Sequence, residues 1–354
     1  MFVRIDRKEN SILRNSYEKG DYDEFCRLLE SGENPNHIDN LACSLIELVI
    51  TNPSNIKNNT LFFDKLLEYD VLINSKDTKY STLLLSIHKN TNYYLSKLLE
   101  KGIDVNYLDN EYYPCMLDCI YKKDMEKMKM LFPHNPKMSI IDENENSLLM
   151  HLINKYPHEN VSLLMPFLIE NGADINHCNI FGQNALHDIC TNFNCEKLIH
   201  MAVKAGADIN SCDKSNISSL ILACSHGNFN SALYLIENGA NINHQDNVGD
   251  TPALAAAHAR KYELLKLLYD KKANMFLTNM ESENIAHKIV RTSEYSEIAI
   301  QILKENPDLL FEKNIRNQSA IDILEKNSLY GKQNTRTRNQ IFAIIKKDPY
   351  KNII

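Results

Sequence analysis

The sequence predicts an all-α chain of about ten helix–turn–helix units stacked as a solenoid, with a tight turn projecting between units. Three observations carry this. A Ser, Thr or Asn recurs with a period of about 34 residues, at Ser11, Ser44, Thr82, Ser147, Asn184, Ser218, Thr251, Asn284 and Ser319, and Pro114 fills the one gap. Each precedes an apolar stretch, where a side-chain oxygen can accept from the orphan N–H groups of a helix start. A second marker follows inside each period: Gly32, Gly102, Gly172, Gly206 and Gly239, with Asp70, Asn135 and Lys272 in register. Glycine there suits the left-handed residue that ends a helix. Between the two markers, apolar residues repeat at helical spacing.

One unit justifies its elements in order. Thr251 is placed to cap a helix, and Pro252 sits at the first helical position, where a missing N–H costs nothing. Ala255, Ala256 and Ala257 make that first helix thin, so a neighbouring unit can approach closely. A turn near Arg260 and Lys261 leads into a second helix with a ridge of Leu264, Leu265, Leu267 and Leu268. The stretches 171–183, 205–217 and 238–250 are rich in Asn, Asp and Gly, the composition of a tight turn. A lone hairpin cannot cover its ridge, so neighbours must stack.

The units differ in informative ways. The span 11–43 reads as an N-terminal cap, with Arg14, Tyr17 and Lys19 in its first helix. The span 44–318 holds the internal units, irregular near 114–146, where the closing turn reads Phe132-Pro133-His134-Asn135-Pro136. The span 319–354 reads as a C-terminal cap with a basic tail, its second helix expected near 338–347. The longest steps run from Ser44 to Thr82 and from Ser147 to Asn184. They are expected to add bulges between paired helices, at Asn52–Asn55 and at Tyr156, Pro157, His158 and Glu159. The whole is expected to be one solenoid over 1–354.

Composition narrows the function classes. The net charge is −7, and residues 332–354 carry six Lys/Arg against one Asp, a local +5 that leaves −12 for the rest. An acidic body argues against a surface that tracks nucleic-acid phosphates. No apolar stretch approaches the length of a membrane span, and the first ten residues hold no apolar leader, so no cleaved signal is expected. The nine cysteines include no Cys-x-x-Cys pair. Cys119, Cys190 and Cys224 fall where a small residue packs between helices, and they suit a reducing, cytoplasmic setting. Cys115 and Cys119 lack a second ligand pair, so no metal is expected.

No catalytic constellation stands out. Glycine-rich phosphate loops, His-Glu-x-x-His and Gly-x-Ser-x-Gly are all missing from the sequence. His37, His177 and His244 each follow a loop Asn in separate units, too far apart to share a metal. Cys195 and His200 could be drawn as nucleophile and base, but Leu198 and Ile199 beside them read as core. No cofactor is expected.

The chain resembles the ankyrin-repeat family. The likeness is carried by Gly172-Ala173-Asp174-Ile175-Asn176, Gly206-Ala207-Asp208-Ile209-Asn210 and Gly239-Ala240-Asn241-Ile242-Asn243. It is carried also by the helix starts Asn184-Ala185-Leu186-His187, Asn284-Ile285-Ala286-His287 and Thr251-Pro252-Ala253-Leu254. Outside 171–270 the match is weaker but stays in register. The resemblance implies a solenoid with projecting β-turn loops. It also implies that His187 and His287 hydrogen-bond the adjoining turn.

The resemblance implies a non-catalytic scaffold that binds another protein on its concave face, through loop tips and exposed first-helix positions. Mapped onto this sequence, those positions include Tyr80, Glu111, Tyr112, Tyr113, Tyr121, Ile180, Phe181 and Gln183. Further along they include His226, Asn247, Val248, Asp250, His258, Met280, Glu281 and Arg291. Tyr112, Tyr113, Ile180, Phe181 and Met280 stand out, because apolar side chains at loop tips lack a core role and aromatic anchors favour interfaces. Acids at Asp109, Glu111, Asp246, Asp250, Glu281 and Glu283 suggest either a basic rim on the partner or a solvated edge. A monomer is expected, with neither nucleic acid nor membrane as partner. Richness in Ile, Asn and Lys fits an AT-rich genome. Ankyrin-like proteins of bacteria and large viruses often act in host cells, which suggests a secreted effector delivered without a cleaved signal. A housekeeping or toxin-neutralising role stays open. So do an enzyme hidden in the divergent units and an adaptor using the basic C-terminal cap for membrane or a second partner.

Overall fold

The computed structural model describes residues 11–39, 42–51, 59–73, 82–87, 92–106, 115–138, 142–291, 296–329 and 335–346. Regular structure within them is helical, and strand pairing is limited to isolated bridges such as Cys212 with Ser218 and Lys313 with Ser319. Internal contacts divide the chain into two compact units, residues 1–140 with 170–172 and residues 141–169 with 173–354.

The first unit contains four helix pairs among the described residues: α1 (Ile12–Lys19) with α2 (Tyr22–Glu30), α3 (Leu45–Thr51) with α4 (Asn59–Leu67), α5 (Thr82–Ile87) with α6 (Tyr93–Glu100), and α7 (Cys115–Lys122) with α8 (Met125–Leu131). Its N-terminal core is aromatic. Tyr17 and Phe25 meet Phe62 edge-on at centroid distances of 5.3 and 4.9 Å, and all three are fully buried. The Tyr17 hydroxyl donates to Asn59 Oδ1 at 2.9 Å, which satisfies the one polar atom this burial would strand. Arg14 Nη1 reaches Asp39 at 2.7 Å and so ties the first helix to the loop that follows α2.

The second unit holds α9 (Leu148–Lys155) with α10 (His158–Glu170), α11 (Ala185–Asn192) with α12 (Glu196–Lys204), α13 (Ser219–His226) with α14 (Phe229–Glu237), and α15 (Pro252–His258) with α16 (Tyr262–Asp270). It continues with α17 (Ile285–Val290), α18 (Glu297–Glu305), α19 (Ala320–Leu329) and α20 (Thr335–Lys346). The thin-helix, leucine-ridge reading holds. Ala253 and Ala255–Ala257 are buried in α15, and Leu264, Leu265, Leu267 and Leu268 are buried in α16. Each such leucine is worth about 1.5–3 kcal/mol of burial.

The recurring helix-start residues act as caps. Side-chain oxygens of Ser11, Ser147, Asn184, Ser218, Thr251 and Asn284 accept from first-turn N–H groups of their helices. Ser44 and Ser319 do the same and also donate their own N–H to Glu47 and Asp322, closing reciprocal boxes. Thr82 departs from this, being the first helical residue of α5; Pro114 lies outside the described residues. The second marker is left-handed at Gly32, Gly102, Gly172, Gly206, Gly239, Asn135 and Lys272, but Asp70 is not.

The long step from Ser147 to Asn184 does not bulge the turn. Only Tyr156 and Pro157 separate α9 from α10, and α10 runs for 13 residues against nine in α12, α14 and α16. Four extra residues make about one helical turn, so they extend the ladder rather than leave orphan groups in a loop. Pro166 inside α10 withholds the N–H that would bond the Ser162 carbonyl. The counterpart at Asn52–Asn55 lies outside the described residues.

Successive loops are clamped by an asparagine amide. Asn176 donates to the Gly206 carbonyl at 2.8 Å and accepts from Asp208 N–H at 2.9 Å. Asn210 donates to Gly239 at 3.3 Å and accepts from Asn241 at 2.8 Å. Asn36 repeats the clamp in the first unit, donating to Asp70 at 2.9 Å and accepting from Leu72 at 2.7 Å. Asn243 keeps the accepting half, from Asn274 N–H at 2.8 Å. At the next register position stands Phe276, which has no amide and is half exposed.

His187 and His287 behave as expected. Each Nε2–H donates to a carbonyl of the next turn, Ile217 at 3.2 Å and Gln318 at 3.1 Å, and each Nδ1 accepts from the N–H of its own cap residue. Burial lowers both pKa values below the ordinary 6.5. Burial acts oppositely on neighbouring Asp188, whose carboxyl is pushed up to about 7 although Asn154 donates to it at 3.1 Å.

Asn210→Ala removes both halves of one clamp and is expected to cost about 1 kcal/mol, read as a lower urea midpoint of the full chain. The pH response follows from the signs. The histidine contribution is complete above about pH 6.5 and is lost as pH falls through the depressed folded values, so His187→Gln flattens the loss of melting temperature in that range. Asp188 favours the fold below the ordinary carboxylate range, and that contribution is lost as pH rises through about 7. Asp188→Asn is therefore expected to raise the melting temperature near pH 8 and leave it nearly unchanged near pH 3, as calorimetry would show.

Candidate partner-binding face

The projecting loops of the second unit share one construction. Each five-residue tip opens on an Asp or Asn: Asp142, Asn179, Asp213, Asp246, Asn279 and Asn314. In every case its side-chain oxygen accepts the N–H groups two and four residues on, at 2.8–3.0 Å. The fourth residue of each tip is left-handed: Glu145, Gly182, Asn216, Gly249, Ser282 and Asn317. A side chain at Gly249 would place its Cβ 2.8 Å from Asn279 Cα, so this glycine is required by close approach as well as by its φ of +81°.

Close approach lets the tips bond directly to one another. The second residue of each tip donates its N–H to the third residue of the tip before. These bonds are Ile180 to Asn144 (3.0 Å), Lys214 to Phe181 (2.9 Å), Asn247 to Ser215 (2.9 Å), Met280 to Val248 (2.8 Å) and Ile315 to Glu281 (3.0 Å). Two histidines brace the ladder from below. His177 Nε2 meets the Glu145 carbonyl at 2.6 Å, and His244 Nε2 meets that of Asn216 at 2.8 Å. Each ring thus ties its own loop to the tip of the repeat before.

The ladder presents apolar side chains to solvent. Phe181 is 56 % exposed, Val248 58 %, Met280 73 % and Ile315 65 %. Ile315 is not among the positions mapped from the sequence, yet the period puts it in register with Met280. Ile180 and Gln183 are half-buried. Asn247 lies exposed, its amide spent on the Lys214 carbonyl at 3.1 Å. His226 and His258 are exposed at the last turns of α13 and α15.

The acidic edge is largely neutralised within the protein. Glu283 is buried and pairs with Arg291, whose Nη1 donates at 3.1 Å, and with Lys288 at 3.7 Å. Lys288, also buried, lies 3.4 Å from Asp250, which further accepts from Asn279 Nδ2 at 3.0 Å. Glu281 faces Arg316 at 3.4 Å. Asp213 and Asp246 spend their Oδ1 on tip N–H groups. Asp250, Arg291 and Glu281 are thus ion-paired within the protein, though the side chains of Arg291 and Glu281 keep part of their surface exposed.

The structure therefore gathers Ile180, Phe181, Gln183, Asn247, Asp250, Met280 and Glu281 on the tips, with His226, His258 and Arg291 at the ends of first helices. Tyr121 is 39 % exposed on α7 in the first unit. Tyr80, Asp109, Glu111, Tyr112 and Tyr113 lie outside the described residues. No metal-ligating cluster and no helix able to cross a membrane occur among the described residues. Burial pushes the Cys115 thiol up to about 12, and Cys119, Cys190 and Cys224 are also raised, so these thiols stay protonated and inert.

Comparison with known proteins agrees with this geometry. The family model for ankyrin repeats matches three times, over residues 149–246, 186–279 and 220–317. No curated protein matches the sequence. Among solved structures, the human ASB11 ankyrin repeat domain is similar in fold at a TM-score of 0.52 and 18 % identity, covering 62 % of this chain and 97 % of that one. The capped hairpins, the clamped loops and these matches lead to one conclusion: residues 149–317 of the chain form a run of ankyrin repeats.

Proposed function

We propose that the protein is a non-catalytic scaffold that binds another protein on its concave face, through the tip ladder and first-helix ends of the second unit. The observation that carries this is the row of exposed Phe181, Val248, Met280 and Ile315 on tips held by backbone hydrogen bonds. Large apolar side chains exposed on a rigid support lose little entropy on binding, which is what an interface anchor needs. Ankyrin repeats generally serve as protein-interaction modules, which supports the same reading.

The test is capture of partners from lysate by wild type and by a quadruple variant, Phe181→Ala with Val248→Ala, Met280→Ala and Ile315→Ala, matched by circular dichroism. A partner retained equally by both would move the site off the tips. Gly249→Ala gives an independent check. It forces a Cβ against the Asn279 backbone and strains a left-handed residue by about 1–2 kcal/mol. Binding is expected to weaken although no contacting side chain is removed, as titration calorimetry would measure.

A further inference from the structure

We infer that the tips from Val248 to Ile315 receive an uncharged, apolar segment of a partner protein, an inference that rests on the scaffold reading above. The hydrogen bonds from Met280 to Val248 and from Ile315 to Glu281 make Val248, Met280 and Ile315 neighbours in one continuous row across three tips. Each is more than half exposed, and Met280 is the most exposed large apolar side chain among the described residues. The charges around this row are matched within the protein. Asp250, Glu283, Lys288 and Arg291 form a closed set of two acids and two bases, and Glu281 faces Arg316.

A partner bringing a basic rim would have to compete with Lys288 and Arg291 for the buried Glu283 and the partly exposed Asp250, and would leave the buried Lys288 unpaired. Truncating or displacing one member of a buried pair is strongly unfavourable. An apolar segment meets no such opposition and covers the row. Charge complementarity thus selects a neutral occupant, against the basic rim that the acids alone suggest in the sequence.

The test is selection of a displayed library of random 16-residue peptides on the full-length chain, followed by affinity measurement of the recovered peptides. The expected result has three parts. Recovered peptides are rich in Leu, Ile, Met and Phe without excess Lys or Arg. Their affinity changes by less than about threefold between about 0.05 and 0.5 M NaCl. It falls at least about tenfold in the Met280→Ser, Ile315→Ser variant. Peptides rich in Lys and Arg with steep salt dependence would overturn the inference, as would equal binding to the variant or an empty selection. Sedimentation showing a dimer of this chain that the variant abolishes would also overturn it, because a second copy would then be the occupant. Lysate capture with the quadruple variant reads the scaffold proposal separately, so either can fail alone.

Discussion

The second unit depends on backbone-level bonding between consecutive loops. Helix pairs pack through apolar ridges, which are strong but non-directional. Ridges alone would let neighbours slide or rotate. The asparagine clamp, with its carbonyl accepting from one loop N–H and its amide donating to a loop carbonyl, fixes the register. The tip ladder fixes it a second time at the far end of each loop. Between these two lines of hydrogen bonds, histidines of the helix starts and loops bond the Asn216, Ile217 and Gln318 carbonyls.

That constraint explains which residues are free to vary in role. A tip needs an Asp or Asn at its first position and a left-handed residue at its fourth. The ladder bonds themselves use only backbone atoms of its second and third residues, although Asn247 adds an amide bond and Glu281 with Arg316 an ion pair across tips. The ladder therefore leaves most of these side chains free to face solvent, as Phe181, Val248, Met280 and Ile315 do, while Ile180 is half-buried. Architecture and recognition use different atoms of the same residues. A substitution at Met280 changes the surface, whereas one at Asn279 removes the acceptor of two N–H groups.

The set of Asp250, Glu283, Lys288 and Arg291, with Glu283 and Lys288 buried, shows how the same frame handles charge. Two carboxylates follow or close their tips, and two cations rise from the end of α17 to meet them. Such a set gains little net stability over an apolar packing of equal volume. Its geometric demand is strict, and it crosses from one tip to the next.

The sequence alone determined the period, the helix starts, the thin and ridged helices and the left-handed helix ends. These are local properties: a cap needs a side-chain oxygen, a ridge needs leucines at helical spacing, and glycine accepts positive φ. The histidine bonds of His187 and His287 followed from the family resemblance. The tertiary structure decided the rest. Whether four extra residues become a bulge or a helical turn depends on what α10 packs against, and no propensity near Pro157 settles it. That Asp250 is engaged could not be read from its spacing, because its partners Asn279 and Lys288 belong to the next repeat. Ile315 became a surface residue only once its tip was seen bonded to the one before. Side-chain exposure and ion pairing are relations between repeats, and a sequence period reveals each repeat by itself.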